Sequence, residues 1–355
     1  MNENEACGLM KEAFHSTFND YYSVDTRRIL RILSENSRTS VTEIASSVGL
    51  SGKTVKSKIL KLENALSINY SVELNSELHH MPAAHLVVIE FKQPVDYEYV
   101  SALLSKSYIP QLAFSVKGGN YICVYAMSIS TSDFTYWENT ISIMLSKFGG
   151  KLVNSEIVFT HLGFIPVRKE LIEHMELEPT LKKVLGSLVG NSRASMQSIS
   201  RETGLHFNTV AYSINKLISK KIVRRFTLTT MPPEGSAMFS VLITLAPKEG
   251  FDDAVHEVRK ELKTDDDMPI SNRYSFVSAL EGNVNVSLLC TLDDNEDALR
   301  ECVEKITRAY GKHLKLISFG RIDRVLVGNI PLRCVDSNED YRVIDWKPDL
   351  DRLQK

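Results

Sequence analysis

The chain has 355 residues, 43% of them hydrophobic and 24% charged, with a formal net charge of −2. That leaves room for roughly two to four domains, and the composition excludes a disordered, collagenous or disulfide-framed chain. No apolar run reaches the roughly 20 residues of a membrane helix, no signal segment opens the sequence, and the five cysteines (Cys7, Cys123, Cys290, Cys302, Cys334) form no CxxC pair, so a cytoplasmic chain with buried thiols and no zinc or other metal site is expected.

Residues 1–24 carry little periodicity beyond one short helical stretch, Met10–Phe18, and read as an N-terminal arm. From 25 to 78 the pattern sharpens. Arg27–Leu33 places Ile29, Leu30, Ile32 and Leu33 at helical spacing, and Val41, Ile44, Ala45 and Val48 do so again. Gly49 then supplies the left-handed residue that ends a helix, and Ser51 has the side chain to cap the next. Val55, Ile59 and Leu62 form the buried stripe of that next helix, which turns Lys53, Thr54, Ser57 and Lys61 outward with Lys56 and Lys58 on the flanks. Three helices with this turn are the helix-turn-helix plan, whose last helix enters the major groove. An outward Lys/Thr/Ser face without a carboxylate before Glu63 suits a polyanion, and an ordinary solvated face is the plainer alternative. Ile68, Tyr70, Val72 and Leu74 alternate as in a strand, expected to be part of a phosphate-contacting wing.

His79, His80 and His85 follow in a small-residue stretch read as linker. Residues 79–178 then show the order β-α-β-β-α-β of a ferredoxin-like module, ending in an acidic connector, Glu170–Glu178.

A shift of 155 positions brings the first motif back without a gap. Asn36, Ser37, Arg38 and Ser40 fall on Asn191, Ser192, Arg193 and Ser195, and Ile44, Gly49 and Leu50 fall on Ile199, Gly204 and Leu205. Thr54, Val55, Ile59, Lys61 and Leu62 fall on Thr209, Val210, Ile214, Lys216 and Leu217. So long a period indicates a duplicated two-domain unit rather than a solenoid. The second head, 179–232, would present Asn208, Thr209, Tyr212 and Lys216, with His206 in the capping place of Ser51 and Arg224 and Arg225 in a second wing. A second β-α-β-β-α-β module occupies 233–327, with helices at about 251–262 and 295–310, and 328–355 reads as a polar tail. The fold class is therefore α+β, a tandem duplication of a winged helix-turn-helix and a ferredoxin-like module.

Charge supports the division. Asp25–Asn75 has eight Lys/Arg against five Asp/Glu, and Thr180–Met231 has nine against Glu202 alone, so the two heads carry +3 and +8 and the remainder −13. The second head is thus expected to supply more of any non-specific affinity for double-stranded DNA, through Arg224 and Arg225 among others, with Lys53 and Asn208 as candidates for base contacts.

The series Asp25, Ile29-Leu30, Asn36-Ser37-Arg38, Ile44-Ala45, Gly49-Leu50-Ser51, Thr54-Val55, Ile59 and Leu62-Glu63, followed by a β-α-β-β-α-β module, resembles the leucine-responsive/asparagine-regulator (Lrp/AsnC) family. The likeness covers about 25–167 well and about 180–327 more loosely. It implies a DNA-binding transcription regulator whose α/β modules dimerise, as a homodimer or as a pseudo-dimer within one chain, and bind a small-molecule effector. The corresponding turns hold Gly119, Asn120 and Gly282, Asn283, the candidate effector residues, but lack the Asp of the family's Gly-x-x-Asp, so an unliganded hydrogen-bonded turn is the alternative. No cofactor and no catalytic set is expected: there is no nucleophile elbow, P-loop or paired-carboxylate motif. Two other functions remain open. The duplicated architecture is also similar to that of sirohaem decarboxylases, which implies a tetrapyrrole enzyme as the rival, although the His-Asn-Tyr stretch is missing here and His161 and His174 are isolated. An architectural DNA protein with little sequence preference is the other.

Overall fold

The structure, a computed structural model, describes residues 23–75, 83–157, 167–230, 236–245, 274–280, 283–293, 300, 303, 304, 307, 314–328, 330 and 331. The predicted arm, the acidic loop 264–267, the helix over 251–262, most of that over 295–310, the tail beyond 331, and His79, His80, His161 and Gly282 lie outside them.

Helix α1 (Val24–Glu35) is capped by Ser23, whose Oγ accepts the Thr26 N–H at 3.3 Å, and buries Ile29, Leu30 and Leu33. Helix α2 (Val41–Val48) opens on a capping box: Ser40 Oγ accepts the Glu43 N–H, and the Glu43 carboxylate accepts the Ser40 N–H. Gly49 ends it at φ 71°, where a side chain would be strained. Helix α3 (Gly52–Leu66) then closes the head's core with Val55, Ile59 and Leu62, and strand β1 (Asn69–Leu74) leads out.

The first module comprises β2 (Ala83–Glu90), α4 (Tyr97–Ser105), β3 (Pro110–Val116), β4 (Tyr121–Ser128), α5 (Thr131–Leu145) and β5 (Lys151–Ile157). Its strands lie in the order β5-β2-β4-β3. Val87, Ile89, Ile122 and Val124 alternate toward α4 and α5, where they meet Val100, Leu104, Phe134 and Ile141. The buried Cys123 thiol is free, and burial pushes its pKa up to about 12.

His85 is in β2, not in a linker. Its ring stacks on Phe134 with centroids 3.7 Å apart, and its Nε2 is 3.1 Å from Ser128 Oγ. Burial lowers its pKa from 6.5 to about 4. Because the folded value is the lower one, its contribution to stability is complete above about pH 6.5 and is lost as pH falls toward 4. Urea unfolding of the protein should lose about 3 kcal/mol to this group over that window, a component of the pH dependence that His85→Phe should remove.

The expected acidic connector contains helix α6 (Lys169–His174), which buries Leu171 and Ile172 completely. Arg168 anchors it, its Nη1 donating to the Ser107 and Pro110 carbonyls at 2.9 and 2.8 Å, and His174 stacks on Tyr108 at 3.9 Å. The acidic residues lie on the outer side of this helix. Their alternation with Leu171 and Ile172 is amphipathicity rather than linker composition.

The second head repeats the first: α7 (Pro179–Gly190), α8 (Met196–Thr203), a left-handed Gly204, α9 (Phe207–Ser219) and β6 (Val223–Thr230). Strands β7 (Ser236–Leu245), β8 (Tyr274–Leu280), β9 (Asn283–Asp293) and β10 (Leu314–Val327) follow, and a short β11 (Ile330–Pro331) returns to β6.

Strand β10 joins the two modules. Its first half, Leu314–Arg321, pairs with β7 of its own module, and its second half, Ile322–Val327, pairs with β3 of the other. The result is one eight-stranded sheet, β5-β2-β4-β3-β10-β7-β9-β8, whose two edge strands β5 and β8 approach each other. The modules therefore pair within the chain. On the sheet face opposite α4 and α5, Leu112, Phe114, Tyr125 and Met127 belong to one continuous apolar cluster that runs through Leu171 and Ile172 of α6 into Leu185, Val210 and Leu217 of the second head.

Candidate nucleic-acid interface

Helices α3 and α9 each begin after a cap made by the residue the sequence indicated. Ser51 Oγ accepts the Thr54 N–H at 3.1 Å, and His206 Nδ1 accepts the Asn208 N–H at 3.3 Å. Beyond the caps, Ser51, Lys53, Thr54, Lys56, Ser57 and Lys61 are exposed on α3, with Lys58 half-buried and its Nζ 3.4 Å from Ser23 Oγ. On α9, His206, Asn208 and Tyr212 are exposed and Thr209 is half-buried. Lys216 points outward but is held by Glu178, its Nζ 2.7 Å from Oε1, a contact that raises the lysine's pKa and lowers the glutamate's.

What sets the two helices relative to each other is the repeated Asn-Ser-Arg. Ser37 Oγ and Ser192 Oγ meet at 2.6 Å, both fully buried. Around them the contacts are reciprocal. The Ser37 N–H donates to the Phe226 carbonyl and the Ser192 N–H to that of Tyr70, at 2.9 and 3.1 Å. Arg38 Nη1 donates to the Ser192 and Ala194 carbonyls, and Arg193 Nη1 to those of Ser37 and Thr39. Each guanidinium also lies over an aromatic ring, Arg38 on Phe226 and Arg193 on Tyr70, with 5.5 and 5.2 Å to the centroids. Burial, and then the Arg193 charge, lower the Arg38 pKa. The heads are thus related by a local two-fold axis through Ser37 and Ser192.

The two expected wings are not hairpins. Strands β1 and β6 pair with each other, antiparallel, from Asn69↔Thr229 to Leu74↔Val223, across the same axis. Arg224 and Arg225 are accordingly turned to an internal counter-charge: Glu73, only 4% exposed, lies 2.6 Å from Arg225 Nε and 3.5 Å from Arg224 Nη1. Both arginines expected in the second wing thus share one internal carboxylate, while Arg224, at the longer distance, stays exposed. A strand needs a partner ladder, and here the other head supplies it. Arg225→Ala should cost about 2 kcal/mol in urea unfolding, by stripping a buried carboxylate of its closer partner, while the salt slope of DNA binding stays the same. A slope lowered by about one unit at unchanged stability would instead return Arg225 to the phosphate-contacting set.

Part of the basic charge of the second head is engaged within the protein. Arg193, Lys216, Arg224 and Arg225 all have partners in the protein, and Lys182 Nζ donates to the Glu173 carbonyl at 2.7 Å. The more basic segment thus offers a reading helix without an uncompensated cation, whereas α3 exposes Lys53 and Lys56.

Residues 27–63 match the AsnC-type helix-turn-helix domain, and residues 177–224 match a winged helix-turn-helix DNA-binding domain. The first head is an AsnC-type helix-turn-helix domain. With the second, the chain carries two helix-turn-helix heads in tandem, on the α+β plan the repeat implied. No curated protein matches the chain significantly. Among solved structures it is similar to the siroheme decarboxylase NirDL, with 12% identity and a TM-score of 0.52 over 87% of this chain and 94% of that one, a likeness of fold alone. It is also similar to the leucine response regulatory protein LrpA of Mycobacterium tuberculosis (22% identity, TM-score 0.31, 39% of this chain and 91% of that one). A Neisseria meningitidis transcriptional regulator in an L-Met complex is similar at 20% identity and a TM-score of 0.30, over 38% of this chain and 85% of that one.

The turn expected to hold an effector is packed against the protein itself. Gly119 and Asn120 lie in the β3–β4 turn, where the Asn120 carbonyl accepts the Phe91 N–H at 2.6 Å. The Tyr121 ring packs directly on Gly119 and reaches Gly320 of β10, so that a side chain of the protein fills the space beside the turn. Asn283 opens β9, opposite Leu280 of β8. Among the described residues no cluster of His, Cys, Asp or Glu could hold a metal ion, and no helix is long and apolar enough to cross a membrane.

The sequence reading missed Ser37, Arg38, Ser192, Arg193 and Glu73 as functional positions. The repeat itself was the available signal: Ser-Arg recurs ahead of both helix pairs, where neither a cap nor a core stripe requires it, whereas the preceding Asn36 and Asn191 close their own helices. A position kept identical in two copies without a role inside either copy is a candidate for the contact between them.

Proposed function

We propose that the chain is a sequence-specific regulator of transcription of the Lrp/AsnC type, binding double-stranded DNA through α3 and α9, and that it is not an enzyme. The supporting observation is the axis through Ser37 and Ser192: it holds two helix-turn-helix heads as a pseudo-dimer inside one chain, as recognition of two groove faces requires. In this reading Lys53, Thr54, Lys56, Ser57 and Lys61 contact DNA from α3, and Asn208, Thr209 and Tyr212 from α9. Ser51 and His206 set the helix N-termini against phosphates. Lys58 and Lys216, both tied to the protein, flank the contact. The joined α/β modules are the scaffold, and the Tyr121-filled turn supports a structural role for Gly119 and Asn120.

Titrating the binding of a duplex against salt tests the proposal. Lys53→Ala with Lys56→Ala should lower the slope of log K against log salt by about 2, since each phosphate-neutralising lysine contributes about 0.9. An unchanged slope would remove α3 from the interface. The fold likeness to a siroheme decarboxylase gives the rival reading its own readout. A Soret shift on adding an iron tetrapyrrole, with release of CO₂, would replace the regulator by an enzyme, and binding that ignores sequence would replace it by an architectural protein.

A further inference from the structure

Under the 155-residue shift, the two heads agree on the core stripe of the last helix and at the serine–arginine pair on the axis. Val55, Ile59 and Leu62 match Val210, Ile214 and Leu217, and Ser37 and Arg38 match Ser192 and Arg193. On the outward faces of α3 and α9 the agreement ends. Lys53 corresponds to Asn208, Lys56 to Ala211, Ser57 to Tyr212 and Leu60 to Asn215. Only Thr54/Thr209 and Lys61/Lys216 are shared there, and Glu178 occupies the second of those lysines. The heads are therefore held in equivalent poses while presenting different chemistry.

The chemistry of each face points to a different kind of half-site. Helix α3 offers ammonium groups, donors suited to guanine O6 and N7 and to phosphate. Helix α9 offers two exposed amides, Asn208 and Asn215, with Tyr212 64% exposed between them and Phe207 48% exposed at the start. An amide pairs with the N6/N7 edge of adenine, and an apolar ring packs on the thymine methyl.

We infer that the DNA site of this protein is not an inverted repeat but a composite of two unlike halves in fixed order and orientation, with the half under α9 rich in A·T pairs. The inference rests on the DNA reading above and goes beyond it, because a symmetric pseudo-dimer alone would suggest a palindrome. A composite site gives the bound protein a direction along the duplex, which a homodimer on a palindrome does not have.

Selection from a random pool of double-stranded DNA with the full-length chain is the test. The expected product is a non-palindromic site, in which a G·C pair substituted at a preferred position under α9 weakens binding roughly 10- to 100-fold. Asn208→Ala with Tyr212→Ala, both exposed and so harmless to folding, should erase the preference in the A·T-rich half and leave the other half intact. Copying the face of α3 onto α9, by Asn208→Lys, Ala211→Lys, Tyr212→Ser and Asn215→Leu, should convert the selected site into an inverted repeat. A palindrome selected by the parent chain overturns the inference while leaving the DNA reading in place. A pool with no enrichment at all overturns both.

Discussion

Replacing Arg38 and Arg193 together by alanine is expected to loosen the pairing of the two heads. The pair supplies four donor contacts to carbonyls across the axis, and each guanidinium covers an aromatic ring of the ribbon. Hydrogen bonds from a charged donor contribute more than neutral ones, and here their loss leaves carbonyls of Ser37 and Ser192 facing a gap. Ser37, Ser192 and the β1–β6 ladder remain, so the expected cost is about 3 kcal/mol in urea unfolding rather than complete unfolding. Affinity for DNA should fall about 100-fold, since each head then binds without the effective concentration that a rigid partner provides. Lysine at both positions should restore little, because one ammonium cannot serve two carbonyls and stack at once. Stability and affinity both within twofold of the parent would show that the strand ladder alone holds the heads.

Gly328→Ala is expected to disturb the other junction, that between the modules. Gly328 follows β10 at φ 75°, and a Cβ there would overlap the Gln111 backbone carbonyl and press on Leu112 Cα at 3.3 Å. The left-handed strain is about 1–2 kcal/mol for a residue with a side chain, and the overlap with the backbone adds about as much. The chain just before Gly328 has little freedom to yield. Leu326 and Val327 are buried in the core of the first module, and Ser101 Oγ donates to the Leu326 carbonyl at 2.7 Å. A loss of about 3 kcal/mol in denaturant unfolding is expected, together with faster proteolysis near residues 320–330. An unchanged unfolding midpoint would mean that β10 can shift along β3 at little cost.

Both predictions concern junctions, and junctions are where sequence reading stopped. The helix-turn-helix units were legible because each is local. Ser40 and Glu43 box a helix start, Gly49 ends the helix in the only conformation that avoids strain, and Val55, Ile59 and Leu62 fall on one stripe, all within about 30 residues. The reading faces of α3 and α9 followed from the same periodicity. The surroundings of Arg224 and Arg225 were not legible for the opposite reason. Their shared partner Glu73 is about 150 positions away, out of reach of any local pattern. The same holds for His85, whose neighbours Phe134 and Ser128 come from α5 and β4.

By itself the sequence determined what the local units are: two helix-turn-helix heads, one β-α-β-β-α-β module and the strands of a second, because propensity, caps and apolar periodicity act between residues close along the chain. Only the tertiary structure decided how the units combine. Heads pairing through Ser37 and Ser192, modules sharing β10, and wings serving as a common ribbon all depend on contacts between residues far apart in the chain. A strand edge or a buried hydroxyl accepts any partner of suitable geometry, so its own sequence does not name the one it finds.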